Sequence, residues 1–106
     1  MMRARRARRI EELRQATSRA RHANGHLVRV RSIRQYARTG TKCYLEYLDG
    51  RVVAAWFRND WPRRGFLLIV QGGFGGGEHH GEYVLYVNGV YEALSKALWR
   101  YRRHVR

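Results

Sequence analysis

Between residues 3 and 22 the apolar positions that recur at helical spacing are Ile10, Leu13, Ala16 or Thr17, and Ala20. This spacing of three or four, in a run of Ala, Arg, Glu, Leu and Gln without Gly or Pro, predicts a helix with one thin apolar face. The first nine residues have almost nothing to bury. Residues 1–9 are therefore expected to form a flexible arginine-rich arm on a single folded domain spanning 10–106. Asn24-Gly25 predicts the helix stop, with Gly25 as the left-handed cap.

The period then changes to two. Val28 and Val30 alternate with Arg29 and Arg31, which predicts a strand over 26–36. The alternation slips at Ser32-Ile33, the signature of a bulge or a strand end. A turn at Thr39-Gly40-Thr41 leads into strands over 43–48 and 51–58, with Asp49-Gly50 between them as a two-residue hairpin signal. Residues 59–65 read as a loop and 66–71 as a strand of branched residues. Residues 72–81 hold six glycines and read as a second loop, and 82–87 as the last strand. Asn88 then caps a predicted helix from Gly89 to about His104. Its apolar face is Val90, Leu94, Ala97 or Leu98, Tyr101 and Val105.

The order helix, five strands, helix predicts an α+β fold: an antiparallel β-meander with an N-terminal and a C-terminal helix. Residues 66–70 are apolar throughout, and 52–57 are apolar on both faces. A sheet with one wet face would alternate. The pattern thus calls for cover on both sides, by closure into a small barrel, by a homodimer partner or by a larger protein. At the level of architecture, a helix followed by five strands resembles the SH3-like and Sm-like small barrels, although no motif of either accompanies it.

Composition sharpens the expected partner. In 106 residues there are 22 Lys+Arg against 8 Asp+Glu, a net charge of +14, and 20 of the basic residues are arginine. Residues 1–23 hold eight arginines and two glutamates, and residues 98–106 four arginines and no acid, so +10 of the charge sits in the termini. Solubility needs a net charge of only about 2–8, so a polyanionic partner is expected. Cys43 is the single cysteine, which excludes an intrachain disulfide and favours a reducing, cytoplasmic setting. No apolar run approaches the roughly 20 residues of a membrane helix, and no secretory signal is apparent.

Four segments are candidate sites. Arg3, Arg5, Arg6, Arg8 and Arg9 supply the phosphate-neutralising density of a nucleic-acid-binding arm, with Arg29 and Arg31 adding charge on the first strand. At helical spacing, Glu92, Ser95, Lys96, Trp99, Arg102, Arg103 and Arg106 form an outer stripe on which Trp99 could stack a base. The 59–65 loop presents Trp61, Pro62, Arg63 and Arg64. The glycine-rich loop has no phosphate-loop or dinucleotide pattern. Glu78, His79 and His80 lack a third metal ligand at suitable spacing. A ribonuclease reading built on His79 or His80 with Tyr83 and Glu82 has nothing to pin those groups into one pocket. The sequence therefore predicts a non-enzymatic, cofactor-free protein. It binds DNA or RNA through arginines, with aromatic stacking, alone or within a ribonucleoprotein. The alternative is an adaptor or inhibitor module of mobile-element type that docks on the acidic surface of a larger enzyme.

Overall fold

The computed structural model describes residues 2–76 and 83–105. Helix α1 covers Met2–His22 and is followed by β1 (His26–Ala37), β2 (Gly40–Tyr47), β3 (Val52–Arg58), β4 (Leu67–Gly76) and β5 (Tyr83–Leu94). A 3₁₀ helix over Lys96–His104 ends the described chain. The strands close into a barrel in the order β1-β2-β3-β5-β4. This is the barrel form of the expected α+β fold, with both terminal helices. Strands β1 to β3 form the expected meander, but β5 then inserts between β3 and β4. It runs parallel to β3 and antiparallel to β4.

Closure accounts for the two-sided apolar segments within one chain. Inward-pointing Val28, Val30, Cys43, Leu45, Ala55, Phe57, Leu68, Val70, Leu85 and Val87 fill the barrel. On β4 the alternate residues Leu67 and Ile69 point outward, where Leu13, Ala16 and Ala20 of α1 cover them together with Leu98 and Trp99 of the 3₁₀ helix. Every residue of 67–70 is thus buried, the odd positions under the helices and the even ones in the barrel. On β3 the inward Val53, Ala55 and Phe57 are covered in the same way, whereas outward Val52 and Trp56 keep part of their surface exposed.

Several local expectations are corrected. The left-handed residue ending α1 is Asn24 (φ 52°), with Gly25 N–H donating to the Ala20 carbonyl at 2.7 Å, a Schellman-type end. The helix expected over residues 3–22 is present, and residues 3–9 form its first turns. The β2–β3 hairpin has a three-residue loop. Tyr47 N–H donates to the Arg51 carbonyl, and Gly50 takes φ 92°, the left-handed position this loop demands. The slip in β1 is a bulged stretch, with register shifts between Val30 and Ser32 and between Ile33 and Gln35.

The largest corrections lie near the C-terminus. Gly72–Gly76 belong to β4, not to a loop. A Cβ on Gly72 would stand 2.1 Å from the Tyr86 carbonyl oxygen, so glycine here permits β4 and β5 to approach at their register shift. Asn88 caps no helix, because β5 continues to Leu94 and pairs Val90, Glu92 and Leu94 with Val70, Ile69 and Leu67. The helix shrinks to the 3₁₀ segment because the upper half of β4 takes residues 89–94 as its strand partner.

Candidate nucleic-acid interface

Opposite the helix-covered β1–β4 wall, the outer face of the barrel is open. Cys43, Ala55 and Leu85 point inward, so their neighbours Lys42, Trp56 and Tyr86 point outward. Strand register aligns these side chains in one row: Gln35 opposite Lys42, Lys42 opposite Trp56, Trp56 opposite Tyr86, and Tyr86 opposite Gly73. The row crosses a groove of about 890 Å³ that Arg58 and Asn88 also line. Gly73 adds no side chain, which leaves the Tyr86 end open. Tyr86 is 38 % exposed and Trp56 is half-buried, so both rings have a solvent-accessible part. Aromatic rings flanked by a lysine and an arginine offer faces for bases and charges for phosphates.

The 59–65 loop folds against one end of this groove. Trp61 Nε1–H donates to the carbonyl of Ala37, itself a groove residue, at 2.7 Å. Tyr36 Oη–H donates to the Pro62 carbonyl at 2.9 Å, and Thr41 Oγ1–H to the Asp60 carbonyl at 2.7 Å. These bonds hold Trp61 as a fixed platform that remains 48 % exposed.

Arg29, Arg31 and Arg64 are brought together around a second hollow, of about 760 Å³, with Ser32 and Glu46. Arg29 Nη2 pairs with Glu46 Oε1 at 2.9 Å, and Arg31 Nη1 stands 3.9 Å from the same oxygen. One carboxylate thus serves two guanidinium groups, in a hollow that Arg64 also lines. Arg63 is exposed on the same loop as Arg64.

Trp99 is not on an exposed stripe. It is 7 % exposed and packs in the layer beneath α1. The guanidinium carbons of Arg29 and Arg102 lie over its ring, 4.6 and 4.8 Å from the centroid. Its ring is therefore occupied by the protein's own cations and offers no platform for a base. In a 3₁₀ helix residues i and i+3 eclipse, which sets Arg102 over Trp99 instead of spreading the two along an α-helical stripe.

The basic termini meet on the helix-covered side. Arg6 Nη2 lies 3.1 Å from His104 Nε2. Arginine only donates, so this nitrogen accepts. Arg3, Arg5, Arg8, Arg100 and Arg103 are exposed, and among the described residues none of them, nor Arg9, forms an ion pair. Arg106, Glu78, His79, His80 and Glu82 lie outside the described residues.

Sequence reasoning missed Trp56, Tyr86, Lys42 and Arg58. The available signal was their outward parity on the strands, but only the non-local β3–β5 pairing aligns them. No helix among the described residues is long and apolar enough to cross a membrane. No protein-family model matches the chain, and no curated protein and no solved structure matches it.

Proposed function

We propose that this protein binds single-stranded nucleic acid along the groove of the open barrel wall. Bases stack on Trp56 and Tyr86, while Lys42 and Arg58 meet phosphates. The observation that carries the reading is the registered row Lys42–Trp56–Tyr86 within one groove. Base–aromatic stacking is worth about 1–3 kcal/mol per base and tolerates any sequence, so binding depends little on base identity. A base in a duplex already stacks on its neighbours, which favours single strands at this face. Topology points the same way: a five-stranded Greek-key barrel with β5 between β3 and β4 is the OB type, whose face on strands 2 and 3 binds oligonucleotides. That likeness is one of architecture alone, and the groove carries the argument.

The test is fluorescence anisotropy on a labelled single-stranded oligonucleotide, DNA and RNA in parallel. Trp56→Ala and Tyr86→Ala should each weaken binding by about 1–3 kcal/mol while the fold is retained by circular dichroism. Purified protein should also carry nucleic acid that a high-salt wash removes, read as an absorbance ratio. Wild-type protein that binds no oligonucleotide at low salt, yet captures a defined acidic protein, would replace this reading with that of an adaptor.

A further inference from the structure

We propose that the surface formed by α1 and the 3₁₀ helix is a second nucleic-acid site. It takes the phosphate backbone of a duplex, so that one molecule joins a duplex to a single strand. The duplex site stands on its own charges; only the joining rests on the groove reading above.

Three observations lead to it. The first is one arginine-bearing segment lying beside another. Arg6 touches His104, so the turns carrying Arg3, Arg5, Arg8 and Arg9 share a surface with Arg100 and Arg103. Of the acids nearest in sequence, Glu11 pairs with Arg14 and Glu92 with Arg19, which leaves Glu12 as one carboxylate against Arg3, Arg5, Arg6, Arg8, Arg9, Arg100 and Arg103. Such an arrangement is self-repulsive until an external polyanion, with release of its counterions, balances it.

The second is shape. α1 spans 21 residues, a straight rod of about 31 Å at 1.5 Å per residue. A duplex is straight too, with a persistence length of about 150 bp, and carries one charge per roughly 1.7 Å of axis. It cannot wrap a body 24 × 21 Å in cross-section, so it must lie along one side. The helix-bearing side offers a long edge along α1, with the unpaired arginines gathered in its first turns beside the 3₁₀ helix. The groove is on the opposite wall, because β3 faces the β1–β4 edge across the ring β1-β2-β3-β5-β4.

The third is chemistry. Residues 3–8 expose only arginine and alanine. These six residues offer no aromatic ring for a base and no large apolar anchor for a protein or a lipid interior. Guanidinium groups without such neighbours suit phosphate oxygens and carry no sequence information.

The experiment uses the full chain, a short mixed-sequence duplex and a labelled oligothymidine. One variant combines Arg3→Gln, Arg5→Gln, Arg8→Gln and Arg103→Gln, and a second makes the same four changes to Lys. A third is Trp56→Ala with Tyr86→Ala. The Gln variant should bind duplex at least about tenfold more weakly, with the log–log salt slope flattened by about 0.9 for each phosphate no longer neutralised. Its oligothymidine affinity should stay within about threefold, because stacking supplies that affinity. The Lys variant should recover most duplex binding. The aromatic variant should show the reverse selectivity. Only wild type and the Lys variant should retain oligothymidine on beads bearing duplex. Unchanged duplex affinity in the Gln variant overturns the site, as does an equal loss on both ligands, which would mean one shared surface. Loss of binding to phosphatidylserine vesicles with duplex binding intact would overturn it in favour of a lipid surface. If the aromatic variant binds oligothymidine normally while the Gln variant loses duplex, the groove reading fails and the duplex site stands.

Discussion

Arg29 lies over the ring of Trp99, its guanidinium carbon 4.6 Å from the centroid, and reaches on to Glu46 at 2.9 Å. One arginine thus ties the barrel wall to the terminal 3₁₀ helix. Trp99 sits beneath α1 with Leu13, Ala16 and Leu98. Trp99→Ala should therefore cost about 3–5 kcal/mol of stability, as large aromatic truncations in a core do. Oligonucleotide affinity measured at low temperature, where the variant stays folded, should match wild type. Urea melts and anisotropy separate the two effects. A stable Trp99→Ala protein with weakened binding would return Trp99 to the binding surface.

Gly72 links fold to site. Its missing Cβ allows the β4 backbone to pass close to the Tyr86 carbonyl. Gly72→Ala must push β5 away or break the pairing there. The cost should be about 1–3 kcal/mol, typical of overpacking. Tyr86 is also a groove residue, so the shift should move its ring and weaken oligonucleotide binding as well. Gly73→Ala is the control one residue away, because a Cβ there meets nothing within 4 Å. Equal urea midpoints for the two variants would refute the close-approach argument.

How far the sequence revealed this fold follows from how local each signal is. The thin apolar face of α1, the alternation around Val28 and Val30 and the bulge at Ser32 are written within a few residues, and they are read correctly. The place of β5 is not local. Its parallel pairing with β3, Trp56 opposite Tyr86, joins segments about thirty residues apart in the chain, and no turn motif announces it. Residues 89–94 carry an apolar spacing that suits a helix, yet the exposed backbone edge of β4 claims them. Trp99 leaves the expected stripe for a related reason of period: a stripe at 3.6 residues per turn does not survive where the chain turns in three. The basic termini are legible as charge, but only the Arg6–His104 contact shows that they form one surface.

Cys43 supplies a pH-dependent prediction. Its side chain is 1 % exposed inside the barrel, and burial pushes the thiol from its ordinary 9.0 up to about 12. The unfolded chain gives up this proton first as pH rises. Its contribution to stability is therefore fully present below about pH 9 and is lost progressively as pH climbs towards 12. The urea midpoint of wild type should fall relative to that of Cys43→Ala as pH rises above about 9 towards 12. At neutral pH, native protein should resist a thiol-specific disulfide reagent until urea unfolds it. Rapid labelling of the folded protein would contradict the buried placement.

Trp61 should extend the groove without holding the fold together. It is 48 % exposed, and its Nε1–H bonds to the carbonyl of Ala37, at the groove's edge. Removing the ring loses one partly exposed hydrogen bond, so Trp61→Ala should cost only about 0.5–1.5 kcal/mol of stability. Its effect on binding should depend on ligand length. An oligonucleotide just long enough for Trp56 and Tyr86 should bind the variant as it binds wild type. A longer one, able to reach past Ala37, should lose about 1–3 kcal/mol, the worth of one stacked base. Trp61→Phe restores a ring face but not the donor. It should recover part of the longer ligand's affinity while remaining as unstable as Trp61→Ala, because the ring no longer anchors to Ala37. An equal loss for short and long ligands would place Trp61 inside the primary groove, and no loss for either would remove the loop from the interface.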